Sequence, residues 1–267
     1  MDVNLREYLQ QNHNKLTWKE RSRITFLIIN ALLRIHKENL IHRDLHSGNI
    51  LYSQLNNYWY VSDLGFCCPA DKSTTTSIYG NLPYIAPEVI AGKKYTFASD
   101  IYSIAMLMWE ISSGQPPFIN YEYDYYLATN IINGIRPKIV SGTPFEYKSL
   151  IEQCWDTNPL KRPNILVLWS KFKEMILSYD QNNNLGTNEI SNIETNYTSS
   201  YQFENLPESK NATEEQQEAF HSRPYNFSIP NNIDDFINSS SHTLEDDDDI
   251  YNSPNLHPEE QDELKIP

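Results

Sequence analysis

The sequence has little cysteine, no long apolar run and no excess of positive charge, and each shortage excludes a class of protein. Three cysteines, Cys67, Cys68 and Cys154, do not make a disulfide framework, because adjacent Cys67 and Cys68 bridge only with strain. Their spacing matches no zinc pattern. The opening stretch MDVNLREYLQ has no apolar core of the kind a signal peptide needs. No window approaches the roughly 18 apolar residues of a membrane span. Lys and Arg number 21 against 35 Asp and Glu, a formal net charge of -14. A chain of that charge is repelled by nucleic acid and by anionic membrane surfaces, so neither is expected as a partner. A reducing compartment, the cytosol, is the expected location.

The charge is unevenly spread. Residues 179–267 carry 19 acidic and 3 basic residues, whereas residues 1–178 are nearly neutral. Only the first part is apolar enough to bury a core. Residues 179–267 turn to Asn, Ser, Glu and Asp, with an EDDDD run at 245–249, and are expected to be a disordered acidic tail.

Within the body, Ile24, Leu27, Ile28, Ala31, Leu32 and Ile35 recur at helical spacing, and Thr17 with Glu20 reads as a capping box. A helix over 17–38 follows. Two β-like runs, Ile50–Ser53 and Tyr58–Val61, are joined across Asn56 and Asn57 as a hairpin. A second apolar helix is expected over Ser99–Ser113, ended by Gly114 and Pro116-Pro117. Weaker helical segments lie near Tyr123–Asn133, Phe145–Trp155 and Ile165–Ser178.

Three oxygen-bearing side chains stand out by their spacing. Asp44 and Asn49 lie in a turn between the long helix and the hairpin, and Asp63 stands at the hairpin's far end. A hairpin returns the chain to its start, so Asp63 is expected close to Asn49. Two such ligands suit Mg²⁺, a hard cation that takes few protein ligands and phosphate oxygens besides. Asp44 beside them can orient a hydroxyl and accept its proton. The alternative is that Asp44 and Asn49 are turn residues, since both types favour turns.

Here the chain resembles the protein kinase family. HRDLHSGN matches the catalytic-loop pattern H-R-D-x-x-x-x-N, DLG at 63–65 matches the metal-binding D-F-G with Leu for Phe, and APE at 86–88 matches the end of the activation segment. The SGN of the loop, and Cys-Trp followed by Arg-Pro, look like the tyrosine-kinase-like branch, which mostly phosphorylates Ser and Thr. The resemblance covers roughly residues 1–178. It implies an α+β kinase-like fold, here a mostly helical large lobe with a short hairpin, followed by the tail. It also implies transfer of the γ-phosphoryl group of ATP, with Mg²⁺, to a protein substrate; other kinases are further possible partners.

The resemblance implies roles residue by residue. Asp44 would be the catalytic base, Asn49 would hold one Mg²⁺ and brace the loop, and Asp63 would hold the Mg²⁺ bridging the phosphates. Leu51 would form the floor under the adenine and Asn4 would contact the ribose. Arg43 would pair with a phosphate on the activation segment, where Ser73, Thr74, Thr75, Thr76, Ser77 and Tyr79 lie. Asp100 would bind the backbone of the catalytic loop, and Glu88 would pair with Arg162; the alternative for Glu88 and Arg162 is that they are unpaired surface charges. His42 reads as a packed, hydrogen-bonded histidine rather than a proton shuttle.

The sequence departs from the family at several points. His46 stands where kinases place a Lys, and an imidazole stabilises a transferring phosphate less than a permanent cation. Asn81 stands where Ser/Thr kinases place a Thr. None of the eight glycines precedes residue 48, and Lys15, Lys19 and Lys37 lie on or beside the long helix. The Gly-rich loop and strand Lys of a small N-terminal lobe are therefore not found before Asp44, and an incomplete record of a longer kinase is the favoured explanation. Activity of the chain alone is expected to be impaired. The alternative is a pseudokinase-type scaffold that binds kinases or their substrates without catalysis.

Overall fold

The computed structural model describes residues 3–70, 78–182 and 222–225. Fourteen elements follow one another in these segments. They are β1 (Val3–Asn4), α1 (Leu5–Asn12), α2 (Trp18–Lys37), β2 (Leu40–Ile41), β3 (Ile50–Ser53), β4 (Tyr58–Val61), β5 (Cys68–Pro69), β6 (Ile78–Gly80), α3 (Pro87–Ile90), α4 (Phe97–Ser113), α5 (Tyr125–Ile132), α6 (Phe145–Cys154), α7 (Ile165–Asn182) and β7 (Arg223–Tyr225). The result is a mostly helical body with three small antiparallel sheets, the α+β large-lobe arrangement expected from the sequence.

The two long helices organise the body. Thr17 and Glu20 close the capping box of α2, with Thr17 N–H donating to Glu20 Oε2 at 2.7 Å and Glu20 N–H donating to Thr17 Oγ1 at 3.3 Å. Such a cap contributes about 1 kcal/mol. The face of α2 carrying Ile24, Leu27, Ile28 and Leu32 is buried against α4, α7 and β4. Helix α4 is buried from Ser99 to Ser112 on all sides, which makes it the central helix. It begins two residues before the expected start, because Thr96 and Ser99 form its cap. Gly114 ends it at φ 72°, and a Cβ there would lie 2.4 Å from the ring of His13, so the position requires glycine.

The hairpin β3–β4 runs in register from Ile50 opposite Val61 to Ser53 opposite Tyr58. Its loop is the four residues Gln54–Asn57, longer than a tight turn at Asn56 and Asn57, with Asn57 at φ 48°. Strand β1 adds to its other edge, placing Asn4 opposite Leu51. Strands β2 and β5 pair as Ile41 with Cys68, and β6 and β7 pair as Gly80 with Arg223. These strands of two or three residues are too short to leave a period in the sequence, and they were not foreseen. Nor was α1.

Helix α7 continues to Asn182, and residues 223–225 form a strand, so two parts of the expected tail have regular structure. Their partners lie far off in the chain, where local composition carries no information about them. Residues 183–221 and 226–267, with the EDDDD run, lie outside the described residues, as do Ser73, Thr74, Thr75, Thr76 and Ser77. Among the described residues, no helix is long and apolar enough to cross a membrane.

Candidate active site

The segment from His42 to Asn49 bridges β2 and β3, and its shape is set by one carboxylate from the central helix. Asp100, 1 % exposed, accepts the His42 N–H on Oδ2 at 2.9 Å and the Arg43 N–H on Oδ1 at 3.0 Å. Its Oδ2 also receives His36 Nε2–H at 2.8 Å. Two buried amides thereby gain a charged acceptor, and Arg43 is held at φ 74°, a conformation rare for a bulky residue. Above the bend, the Arg43 guanidinium lies over the Tyr95 ring at 4.7 Å, and its buried Nε has no hydrogen-bond partner.

His42 is fully buried. Its Nδ1 accepts the Asp44 N–H at 3.3 Å, so its Nε2–H donates to the Ser62 carbonyl at 3.1 Å. The ring ties the loop to the end of the hairpin, as a packed structural histidine does. Asn49 reaches back, its Nδ2 donating to the Asp44 carbonyl at 2.9 Å. The Ser62 N–H donates to the Asn49 carbonyl at 2.8 Å, extending the hairpin ladder by one pair. Asp63 is the next residue. It is exposed and left-handed, at φ 58° and ψ 62°.

Asn49 Nδ2 also lies 3.5 Å from Asp44 Oδ2, and Asp63 is near enough to act on the Asp44 carboxyl as a like charge. Asp44 is 3 % exposed, and burial raises its carboxyl above the ordinary value. Hydrogen bonds from Ser222 and Asn49 and the nearby His42 oppose that rise, whereas the like charge of Asp63 adds to it. Because Asn49 Nδ2 is committed to the loop, its Oδ1 is the atom left for a ligand. Together with the exposed Asp63 carboxylate it makes a pair of hard oxygen donors, which fits a small divalent cation that takes its remaining ligands from phosphate and water. Among the described residues no cluster of three or more His, Cys, Asp or Glu side chains gathers as a closed metal cage.

His46 is buried beside Asp44, its Nδ1 accepting the Gly48 N–H at 3.1 Å. The tautomer that accepts at Nδ1 carries its hydrogen on Nε2, which lies 3.8 Å from Asp44 Oδ1. Leu51 is half-buried on the middle strand β3. Asn4 serves as the N-cap of α1: its Oδ1 accepts the Glu7 N–H at 3.0 Å and its Nδ2 donates to Glu7 Oε1 at 3.0 Å. Each end of that amide makes one local bond, with a second lone pair and a second hydrogen beyond them. Glu88 and Arg162 form a buried two-pronged pair, with bonds of 2.8 and 2.7 Å. Asn81, where kinases favour Thr, is buried, and its Oδ1 has no hydrogen-bond partner.

Two features were missed in the sequence. Arg6, Tyr84 and Glu110 form a buried polar knot, in which Arg6 Nε lies 3.3 Å from Glu110 Oε1 and Tyr84 donates to Glu110 Oε2. Ser47 of the loop touches Tyr84 at 3.4 Å. The signal was present in Glu110, a lone charge within the apolar run of α4. The second feature is Ser222, whose hydroxyl donates to Asp44 Oδ1 from within the expected tail. Its signal was weak: Arg223 is one of only three basic residues after position 178.

The family described as protein tyrosine and serine/threonine kinase matches residues 2–172. The chain belongs to the protein kinase family. It is 33% identical over 194 residues to the dual specificity protein kinase zakA of Dictyostelium discoideum, an alignment covering 67% of this chain and 25% of that protein. It is 34% identical over 141 residues to mitogen-activated protein kinase kinase kinase 7 of Drosophila melanogaster, covering 52% of this chain and 20% of that protein. The chain therefore spans a quarter or less of the length of these relatives.

Proposed function

We propose that this chain provides the catalytic and acceptor-binding half of a protein kinase that phosphorylates Ser and Thr hydroxyls. The observation that carries the reading is that the buried Asp44 carboxylate already receives a hydrogen bond from an aliphatic hydroxyl, that of Ser222. A carboxylate in that position orients an acceptor hydroxyl and takes its proton as the new bond forms. Its raised proton affinity suits the task. Asn49 braces the loop and, with Asp63, offers the oxygen pair for Mg²⁺. ATP supplies the phosphoryl group, and the metal neutralises charge as it transfers.

Other residues support this arrangement. Leu51, on the middle strand of the β1–β3–β4 sheet, forms the apolar floor for the adenine. Arg43 holds a cation on the Tyr95 face, available to a phosphate on the activation segment. His46 donates a hydrogen bond at the acceptor position but brings no fixed charge to the transferring phosphate. Asn4 caps α1 and keeps a second lone pair and a second amide hydrogen for a ribose hydroxyl.

Residues 1–267 contain no Gly-rich loop ahead of Asp44 to cover the phosphates and no strand Lys to match their charge. Loss of one preorganised charge contact costs roughly 10²–10³ in rate. The purified chain is expected to show no phosphotransfer distinguishable from its Asp44→Asn variant. Joining a complete small lobe ahead of residue 1 is expected to produce Mg-ATP-dependent phosphorylation of a Ser/Thr peptide, abolished by Asp44→Asn or Asp63→Asn. A folded two-lobed protein that binds Mg-ATP yet transfers nothing would overturn the reading in favour of a scaffold.

A further inference from the structure

The segment Ser222–Tyr225 lies across the site just described, beyond the residues 2–172 that the family matches. Strand β7 adds antiparallel to β6, with Ile78 opposite Tyr225, Tyr79 opposite Pro224 and Gly80 opposite Arg223. Gly80 makes the approach possible. It sits at φ 133°, and a Cβ there would lie 3.3 Å from both Asp44 Oδ1 and Ile85 Cγ1. With no side chain at Gly80, the backbone of β6 passes directly against Asp44. Any strand that joins β6 in this register brings the residue one step beyond Gly80 to the carboxylate, and that residue is Ser222.

The Ser222 hydroxyl is held by two partners of opposite kind. It donates to Asp44 Oδ1, and it lies 3.2 Å from His46 Nε2. Because His46 Nδ1 is occupied by the Gly48 N–H, Nε2–H is the donor, and the serine oxygen accepts from it. One lone pair and the proton of the hydroxyl are thereby fixed. The flanking residues anchor the strand. Tyr225 is 7 % exposed, and the Arg223 guanidinium lies over its ring at 5.0 Å. Arg223 also donates to the Tyr123 carbonyl, just ahead of the Asp124 cap of α5. Pro224 lacks an N–H, a loss tolerated on an edge strand and one that blunts addition of a further strand.

We propose that residues 222–225 are the chain's own occupant of its acceptor-peptide site, with Ser222 Oγ at the acceptor hydroxyl's position. The site takes an extended peptide added to β6, with a serine at Asp44 followed by Arg, Pro and a buried aromatic. While the segment is seated, no second hydroxyl can reach Asp44, so acceptor peptides compete with it. The inference rests on the kinase reading only in naming that position an acceptor position; the strand pairing stands without it. A carboxylate in place of the hydroxyl would meet Asp44 as a like charge in a buried setting and expel the strand.

Hydrogen exchange read by mass spectrometry on the full chain tests this without ATP. Residues 78–80 and 223–225 are expected to be protected. Ser222→Glu is expected to speed their exchange at least about tenfold, while α4 stays protected and shows the fold intact. Adding Asp44→Asn to Ser222→Glu is expected to restore protection, since the facing charge is gone. A synthetic peptide of residues 218–229, added to the Ser222→Glu chain, is expected to protect 78–80 again. Exchange of 223–225 at unprotected rates in the unaltered chain overturns the proposal. So does indifference to Ser222→Glu, a failure of Asp44→Asn to restore protection, or a failure of the peptide to bind. Inactivity of the two-lobed protein with these protections in place would sink the kinase reading and leave the strand docking standing.

Discussion

The buried floor and the rim of the site treat their polar groups in opposite ways. In the floor, charges meet partners within the fold. Glu88 and Arg162 share two bonds in full burial, and Arg162 also donates to the carbonyls of Ala98 and Asp156. Arg6, Tyr84 and Glu110 close on one another. At the rim, like charges lie near each other: Asp63 raises the Asp44 carboxyl as a like charge, and Arg43 and Asp63 have left-handed backbones. The floor uses polarity to specify one arrangement. The rim carries an unbalanced arrangement that a ligand can complete, and the floor's Asp100 is what holds it in place.

The largest effect is expected where a floor pair is broken. Arg162→Met leaves the Glu88 carboxylate buried without its cation, at a cost of about 3–5 kcal/mol. The denaturant midpoint should fall steeply, and combining it with Glu88→Gln should return part of the loss. Recovery of nothing would mean that Arg162 acts through its bonds to Ala98 and Asp156 instead. The next effect joins the two regions. Asp100→Ala removes the acceptor of the His42 and Arg43 amides, about 1–3 kcal/mol for each buried donor left without one. Amide exchange in 42–49 should rise well before that of α2, and equal rises would show that the loop has no stability of its own.

The smallest effect is expected at the rim and has the opposite sign. Asp44 has its carboxyl raised above the ordinary value near 3.8, chiefly by burial. Between that value and its folded one, the folded chain holds a proton that the unfolded chain has released. Its contribution to stability is therefore complete below about pH 3.8 and is lost as pH rises through the folded value. Ionised Asp44 is then a net burden on the fold, and Asp44→Asn should raise the thermal midpoint at neutral pH. The gain should shrink on acidification towards pH 3.8. A variant less stable than the parent at pH 7 would show that the bonds of Asp44 outweigh its burial.

Legibility followed sequence distance. The turn at 44–49 and the hairpin after it could be read because Asp44 and Asn49 lie five apart, and the hairpin returns Ser62, next to Asp63, to the Asn49 carbonyl. The Glu88–Arg162 pair, 74 residues apart, was legible only through the family pattern, since no local period links the two. Asn4 shows the reverse case: its type and place before α1 suit an N-cap, which it forms with Glu7, and that local role was not read from the sequence.

The sequence by itself determined the long helices, the hairpin and the loop between them, because caps, periodicity and turn chemistry act within a few residues. Tertiary structure alone decided what meets at Asp44. Ser222 lies 178 residues from it, in a stretch whose acidic composition predicted no structure, and is brought there by three residues of edge pairing. So short a strand has no period to read. Its position depends on Gly80 leaving the edge of β6 open, on the pocket that buries Tyr225 and on the free acceptor of Asp44, and these exist only once the body has folded.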